Sequence, residues 1–408
     1  MNTLSTQGRK ENLIFIIIFV YIAMFFAGVG SVMYTVMLPH IVSAYSLKLT
    51  QSGLIIPFLA LGEFTAILLG GLIVERVKKV NLILLSFIGF VAMFFLIGGK
   101  PPRLYGILSA YFAIGMCGNI LNIAASSYIA DAYPMNRSAY LNILHSMYAL
   151  GSLLGPLYCT SILNSGFEWN EAYLKFALIC LPIIIFYAPV TLRHKDCRTA
   201  DKPQVQHKTK IFNFTLLRDR RILLLSVMSM VYIGYCYSYN TWFPSYMSGF
   251  LRFDKTFISF IITGYWAGVV AGRLIYPLLA RHVAAKRYLF FGNMAGGIIL
   301  LCGVWIGLPV LLMVSIFVTG LVTSINNPLI LAIACDLYPL NAGSATTITY
   351  MAGGLGGIIA PLLMGKAAGY FPFTSIIMFI PVILVLVALL ALLLSGLSKT
   401  GTDTARGD

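Results

Sequence analysis

Long apolar stretches separated by short polar segments fill the chain from residue 13 to residue 394. A helix needs about 20 apolar residues to cross the hydrocarbon core of a bilayer. Strands of a membrane barrel would be shorter and would alternate polar with apolar residues, so the pattern excludes a barrel. The sequence predicts twelve transmembrane helices, called spans 1 to 12, at 13–43, 50–74, 80–98, 103–132, 138–164, 172–192, 221–250, 254–280, 286–306, 309–337, 341–368 and 373–394.

The second half of the chain repeats the first at an offset of 205 residues. Ten positions between 122 and 157 are identical 205 residues later, among them the pairs Asn122/Asn327, Asp131/Asp336, Tyr133/Tyr338 and Pro134/Pro339. A shared apolar composition does not produce matched Asn, Asp and Pro residues. We therefore expect an all-α membrane protein with two pseudo-symmetric six-helix halves, 1–192 and 221–408, joined by a basic linker at 193–220.

Composition and charge fit a chain that lies mostly in lipid. The sequence is 59% hydrophobic and 10% charged, so it lacks the charged surface of a soluble protein. If the N-terminus is cytoplasmic, 20 of the 28 Lys and Arg residues fall on the cytoplasmic side and seven on the other. This bias predicts a multi-pass protein of the cell (inner) membrane with both termini in the cytoplasm. The net charge of +15 then indicates a linker near anionic lipid headgroups rather than nucleic-acid binding.

Short motifs give no sign of an enzyme. The seven cysteines lie in spans or in the linker, so no disulfide framework is expected. The chain has no CxxC, HExxH or P-loop pattern, and the sequence predicts no metal, no cofactor and no catalytic residue. We expect a monomer whose partners are the bilayer, a small-molecule substrate and protons.

Polar side chains gather in spans 1, 4, 5, 7, 10 and 11, whereas 82–97 and 376–394 carry almost none. Asn, Ser and Thr in membrane helices often hold neighbouring helices together, but equivalent spans of both halves carry the polarity, which favours a cavity. Span 7 also packs several aromatic rings that can stack on a polar solute. The candidate substrate-binding residues are Tyr34, Thr35, Asn119, Asn122, Asn142, His145, Tyr235, Tyr239, Asn240, Trp242, Trp266, Asn326, Asn327 and Tyr350.

Three ionisable residues lie at depth within the spans, where such groups are costly and often functional. Glu63 lies eleven residues from the cytoplasmic end of span 2, or about 16 Å at helical rise. Because desolvation disfavours a charged carboxylate, we expect Glu63 to couple transport to protons; the alternative is a carboxyl that packs against another helix. Arg273 would hold an anionic group or close a gate by capping carbonyls across the interface between the halves. His145 would titrate near neutrality or remain a neutral, hydrogen-bonded side chain.

The segment 71–79, which reads G-L-I-V-E-R-V-K-K, resembles the signature G-x-x-x-D-R-x-G-R-R/K of the major facilitator superfamily. The resemblance covers essentially the whole chain. It implies the major facilitator fold and a rocker-switch in which the two halves rotate about a central site. It also implies an inward gate in which Glu75 and Arg76 pair with Asp131 and Arg137. The equivalents in the second half are Arg281 and Asp336.

Two further stretches resemble the fucose permease and glucose/mannose symporter branch of that superfamily. Residues 142–156 are similar to N-L-L-H-x-F-F-G-x-G-A-x-x-G-P, and residues 232–246 to Y-x-G-x-E-x-x-x-x-W-x-P-x-Y. This chain has Cys236 where the branch usually has Glu, no acidic residue from Gly28 to Pro39, and Asn122 where fucose permeases have an acid. Either Glu63 has taken over the coupling, or the protein is not driven by protons.

The residues and the resemblance together favour a secondary active transporter. The leading hypothesis is proton symport of a small polar solute, such as a sugar or a related compound. Proton-driven efflux of a drug or metabolite, transport of an organic anion bound by Arg273, and passive uniport are the alternatives. A membrane-embedded enzyme or sensor would need a catalytic dyad or an output domain, and the sequence has neither.

Overall fold

The computed structural model describes residues 2–48, 51, 53–101, 103–133, 137–193, 214–279, 282–338 and 341–403, and all structural statements below refer to them. These residues form thirteen α-helices and one short 3-10 turn, Phe214–Arg218. The helices are α1 Asn2–Ala44, α2 Ile55–Arg76, α3 Lys79–Gly98, α4 Leu104–Ala132, α5 Arg137–Asn164, α6 Trp169–Arg193, α7 Arg220–Gly249, α8 Lys255–Leu279, α9 Ala285–Ile306, α10 Pro309–Thr323, α11 Asn326–Leu337, α12 Ala342–Ala367 and α13 Phe373–Asp403.

The helices confirm the predicted all-α membrane architecture. Eleven helical stretches are long and apolar enough to cross a membrane, and Ile55–Leu69 of α2 is a shorter apolar stretch. Spans 1 to 9 correspond to α1 to α9, span 11 to α12 and span 12 to α13. Most boundaries agree within three residues because Pro, Gly and charged residues mark the ends of the apolar stretches.

The tenth span differs from its prediction as one helix over 309–337. It consists of α10 and α11, with Ser324 and Ile325 between them. Pro328 has no N–H to donate to the carbonyl of Ser324 four residues earlier, and its ring crowds that carbonyl. The equivalent residue of the first half is Ile123, and α4 is continuous there. Pro328 is therefore one local difference at the break, although Pro244 of α7 and Pro361 of α12 lie inside continuous helices.

The chain forms two compact units. The first unit comprises Met1–Leu47 and Phe58–Pro203, and the second comprises Lys48–Pro57 and Gln204–Asp408. In the first unit α1 packs against α5, and α3 packs against α4 and α6. In the second unit α7 packs against α12, and α9 packs against α10 and α13. These helix pairs correspond to one another in the 205-residue repeat, so the two units share one packing scheme.

Glycines at equivalent positions allow the paired helices to touch through their backbones. A Cβ at Gly151 would clash with the carbonyl oxygen of Phe25, and a Cβ at Gly356 would clash with that of Met230. Phe25 and Met230 are themselves 205 residues apart. Small residues at such contacts let membrane helices approach closely and gain van der Waals packing. The repeat thus preserves a helix contact as well as a sequence pattern.

Candidate functional site

In the first unit, the candidate residues of α1 are buried. Tyr34 is 6% exposed, and its ring lies edge-on to Tyr111 with the centroids 6.5 Å apart. Thr35 is 1% exposed, and its hydroxyl donates to the carbonyl of Val32 at 2.6 Å. The Thr35 hydroxyl is therefore used within its own helix in this state.

Glu63 and the candidate asparagines of α4 lie where α2 and α4 meet. The side-chain amide of Asn119 donates to the backbone carbonyl of Glu63 at 2.9 Å. Gly62 and Gly115 face the backbone of the opposite helix so closely that a Cβ on either would clash. The hydroxyl of Ser126 approaches the Asn122 amide oxygen at 3.5 Å. Glu63, Asn119 and Asn122 are all half-buried, so the structure brings the proposed coupling acid to the same helix contact as Asn119.

Of the remaining candidates in the first unit, the structure describes the side chains of only two, His145 and Asp131. His145 is exposed on α5, and Asp131, at the end of α4, pairs with Lys79 at 2.5 Å. Lys79 belongs to the segment that resembles the superfamily signature. The side chains of Asn142, Glu75, Arg76, Arg137 and Arg281 lie outside the described residues, so their predicted roles stay predictions.

In the second unit, aromatic rings form a column along the buried face of α7, hereafter the aromatic column: Tyr232, Tyr235, Tyr239, Phe243 and Tyr246. Successive ring centroids lie 6.2, 6.2, 4.8 and 6.4 Å apart. The rings recur every three or four residues, which places them on one face of the helix. Tyr265 of α8 packs against Tyr239 at 4.7 Å, so α7 and α8 share one aromatic wall.

Buried polar atoms without partners lie on the two helices that form this wall. Nine side chains on α7 and α8 each have a buried nitrogen or oxygen with no hydrogen-bond partner in the described part of the chain: Ser226, Ser229, Tyr235, Ser238, Tyr239, Asn240, Trp242, Thr263 and Trp266. Leaving such a group unsatisfied costs about 1–3 kcal/mol. Buried polar groups without a partner call for an explanation, and a bound ligand or water is one. Five of the nine are residues that the sequence predicted as substrate-binding.

The polar stripe of the tenth span packs inside the second unit. Thr319, Thr323 and Asn326 are each 0% exposed. Both threonine hydroxyls donate to carbonyls four residues earlier, at 2.7 and 2.8 Å. Asn326 exchanges hydrogen bonds with Asn293 of α9, at 2.7 and 3.3 Å. Asn326 therefore holds two helices together in this state, whereas the neighbouring candidate Asn327 is half-buried, as is Tyr350 on α12.

Side chains from two other helices hold the break between α10 and α11. The hydroxyl of Tyr232 donates to the carbonyl of Thr323 at 2.9 Å. Nε of Arg273 donates to the carbonyl of Ser324 at 3.4 Å, and the Ser324 hydroxyl donates to the carbonyl of Leu321 at 2.9 Å. The sequence led us to expect Arg273 to cap carbonyls across the interface between the halves. The carbonyl that it reaches in the structure belongs to its own half.

A small charged cluster closes the other end of α7. Asp219 accepts hydrogen bonds from the backbone N–H of Arg221 at 2.8 Å and from its guanidinium at 3.1 and 3.4 Å. Partial burial acts to raise the pKa of Asp219, but the hydrogen bonds from Arg221 outweigh it and hold the pKa below its usual value. The Arg221 guanidinium lies 6.0 Å from the ring centroid of Tyr338, just beyond α11. The predicted gate residue Asp336 is exposed nearby in the chain.

Several residues that the sequence did not single out belong to this region. Asn293 pairs with Asn326, Tyr265 extends the aromatic wall, and Thr263 contributes an unpartnered hydroxyl. A lone Asn or Thr in an apolar helix gives no sign of its partner on another helix. Pro328, in contrast, was visible as a helix breaker inside span 10.

The arrangement is suited to holding a neutral solute. No charged residue occurs in 222–249 of α7 or in 256–272 of α8. Aromatic faces stack on apolar ring surfaces, and hydroxyl, amide and indole groups supply hydrogen bonds in both directions. A protein site of this kind binds through shape and hydrogen bonding rather than ion pairing.

Comparison with known proteins agrees with the fold. The family model described as Major Facilitator Superfamily matches residues 20–254 and 237–407. The glucose/mannose transporter GlcP of Bacillus subtilis is 20% identical over 359 residues, 85% of this chain and 86% of that protein. The cis,cis-muconate transport protein of Acinetobacter baylyi is 21% identical over 364 residues, 86% of each chain.

A solved structure has the same fold. The nucleoside transporter NupG matches with a TM-score of 0.76 at 14% identity, over 93% of this chain and 98% of that chain. Likeness at this level of identity concerns the fold alone. The relatives and the structural neighbour are transporters of chemically different solutes, so none of them assigns the solute of this chain.

Proposed function

This chain belongs to the major facilitator superfamily, and we propose that it carries a small, neutral, polar solute such as a sugar across the membrane by alternating access. It is a multi-pass membrane transporter rather than an enzyme. The observation that carries the proposal is the set of unpartnered polar atoms around the aromatic wall of α7 and α8. A solute that satisfies these atoms would remove their desolvation cost and thereby gain affinity.

The chemistry of the wall selects among solute classes. A sugar has an apolar ring face for stacking and several hydroxyls that both donate and accept hydrogen bonds. The absence of charged residues from 222–249 and 256–272 disfavours ionic solutes at this position. The likeness to a glucose/mannose transporter supports the same class.

Proton coupling through Glu63 is the second part of the proposal. A carboxyl within a membrane helix is costly to keep charged, so its protonation can be tied to a change of state. Asn119 bonds to the backbone of Glu63, which links this position to α4, one of the predicted cavity-lining helices. We also propose that both termini face the cytoplasm and that the protein works as a monomer.

A second candidate function is transport of an organic anion. Its support is Arg273, a cation deep in span 8, together with the likeness to a cis,cis-muconate transport protein. Against it, Nε of Arg273 donates to the carbonyl of Ser324, which gives the guanidinium a role within its own unit.

Uptake into proteoliposomes distinguishes these functions. Purified protein would be reconstituted and offered radiolabelled glucose, mannose or cis,cis-muconate, with and without an inward proton gradient. We expect glucose or mannose to accumulate above the external concentration only with the gradient. Glu63→Gln should abolish this accumulation, whereas Glu171→Gln, at a half-buried acid in the first turn of α6, should leave it unchanged.

Other outcomes would change the assignment. Accumulation of muconate without any sugar uptake would favour the anion transporter. Sugar entry that only equilibrates would indicate a uniporter. Undiminished gradient-driven accumulation in Glu63→Gln would remove Glu63 from the coupling mechanism.

A further inference from the structure

We propose that Asn240 of α7 and Trp266 of α8 bind two hydroxyls of the solute in opposite senses. Asn240 accepts a hydrogen bond from one hydroxyl, and Trp266 donates a hydrogen bond to the oxygen of another. This inference deepens the proposed function and rests on it. It narrows the solute to a polyol, such as a sugar, that presents a hydroxyl proton to α7, and it excludes a solute that presents only a carboxylate there.

The first argument is that each side chain can bind in one sense only. Nδ2 of Asn240 donates to the backbone carbonyl of Cys236 at 2.8 Å, and a carbonyl can only accept, which fixes the orientation of the amide. Oδ1 of Asn240 is buried without a partner in the described part of the chain, so the free end of this side chain is an acceptor. Nε1 of Trp266 is also buried without a partner there, and an indole N–H can only donate.

The second argument is that the two side chains lie on the same side of the contact between α7 and α8. The short connection 250–254 makes these helices antiparallel, and the rings of Tyr239 and Tyr265 pack between them at 4.7 Å. Asn240 and Trp266 each follow the packed tyrosine by one residue, which turns each of them by about 100° around its helix axis. In antiparallel helices the same step along each chain turns both residues to the same side of the contact.

Trp242 shows that this geometry is selective among the unpartnered atoms. Trp242 lies three residues after the packed tyrosine of α7, which turns it back by about 60° to the other side. Its ring lies edge-on to Phe373 with the centroids 6.0 Å apart, and a Cβ at Gly365 would lie 3.3 Å from it. Asn240 and Trp266 are both half-buried, so each retains some accessible surface, whereas Trp242 is 1% exposed.

The third argument is that the first unit lacks both groups. The residues 205 positions before Asn240 and Trp266 are Thr35 and Leu61. Thr35 is 1% exposed and its hydroxyl donates to the carbonyl of Val32 at 2.6 Å, and a leucine side chain has no polar atom. The shared scaffold therefore does not require an acceptor and a donor at these positions, which points to a use that is specific to the second unit.

Fluorinated and deoxygenated sugars test both senses of binding. Fluorine can accept a hydrogen bond but cannot donate one, and a deoxy carbon can do neither. Uptake of radiolabelled glucose into proteoliposomes would be measured with each monofluoro and each monodeoxy glucose as a competitor. The original protein would be compared with Asn240→Leu, Trp266→Phe and the control Ser109→Ala, at an exposed hydroxyl that bonds to the carbonyl of Gly106.

We expect one ring position at which the deoxy and the fluoro analogue both compete about tenfold more weakly than glucose. At a second position only the deoxy analogue should be weaker, because fluorine still accepts. The first penalty should disappear in Asn240→Leu and the second in Trp266→Phe, whereas Ser109→Ala should keep both. If a variant folds but does not transport, its thermal stabilisation by glucose and by each analogue gives the same comparison.

Sugar uptake by the original protein with both penalties unchanged in the two variants would overturn this inference and leave the proposed function standing. So would fluoro analogues that compete as well as glucose at every position. If the original protein takes up neither glucose nor mannose, the proposed function and this inference both fail. The two variants test separate halves of the inference, so one of them suffices if the other does not fold.

Discussion

α1 and α7 hold equivalent positions in the 205-residue repeat but carry different side chains on their buried faces. Where α7 has Tyr232, Tyr235 and Phe243, α1 has Ala27, Gly30 and Leu38. Both helices still use the same glycine contact with their partners, at Gly151 and Gly356.

α4 also differs from its equivalent in the second unit: α4 is continuous, whereas the tenth span is divided into α10 and α11. Unpartnered buried polar atoms occur on α7 and α8, and none is found among the described side chains of α1 and α2. Shared glycine contacts with unshared polar groups indicate that packing and solute recognition are encoded at different positions. This contrast supports the proposal that the repeat supplies the scaffold and that the second unit supplies most of the recognition chemistry.

The largest expected effect tests the shared scaffold. Gly151→Ala and Gly356→Ala each place a Cβ against a backbone carbonyl, and overpacking of this kind costs up to about 3 kcal/mol. Both variants should lose stability to a similar degree in unfolding by mixed detergents. Gly264→Ala, where a Cβ would meet nothing within 4 Å, is the control and should be as stable as the original protein. A large loss in only one unit would show that the scaffold is not shared.

The next effect tests the amide pair that the first unit lacks. Asn326→Leu alone leaves the Asn293 amide oxygen buried without its donor, although the Asn293 amide N–H keeps its bond to the carbonyl of Leu289, and this should cost about 2 kcal/mol. Asn293→Ile combined with Asn326→Leu copies the residues of the first unit and should recover most of that loss. Unfolding of the single and double variants gives their coupling energy. Additive losses would mean that the two amides do not act as a pair.

A smaller effect separates unpartnered hydroxyls from satisfied ones. Tyr239→Phe removes a hydroxyl without a partner, so stability should stay the same or rise while glucose uptake falls about tenfold. Tyr111→Phe removes a hydroxyl that is bonded to Tyr173 at 2.7 Å and should lower stability by about 1 kcal/mol with uptake retained. Uptake assays and thermal unfolding of both variants check the pair. If both substitutions changed uptake and stability alike, the lack of a hydrogen-bond partner would not distinguish the residues of the proposed site.

The smallest effect concerns pH. The folded pKa of Asp219 is lowered, so its contribution to stability is complete above the unfolded pKa and is lost as the pH falls through the folded value. Between about pH 5 and 8 the group stays charged, so Asp219→Asn should leave the shape of the uptake–pH profile unchanged. Glu63→Gln should alter that profile over the same range. A shifted profile in Asp219→Asn would place a titrating group at the start of α7.

The sequence alone predicted the helices well because apolar length, proline and charge fix where a membrane helix begins and ends. It also identified Tyr235, Tyr239 and Trp242 as candidate substrate-binding residues, because several aromatic rings in one span are easy to recognise. It could not decide whether Asn326 lines a cavity or contacts a neighbouring helix, because asparagine is found in both places. Partners on other helices, such as Asn293 for Asn326 and Tyr232 for Thr323, depend on packing that one sequence does not encode locally. The sequence did contain Pro328, whose effect on span 10 we had not predicted.

Fluorescence from a single tryptophan tests most directly whether the second unit holds the solute. One variant keeps only Trp266 of α8 and another keeps only Trp169, which begins α6 of the first unit. Each would be titrated with the solute that it is shown to take up in proteoliposomes. We predict a saturable change at Trp266, with a midpoint that follows the half-saturation of uptake, and none at Trp169. A saturable change at Trp169 with an unchanged signal at Trp266 would contradict the account.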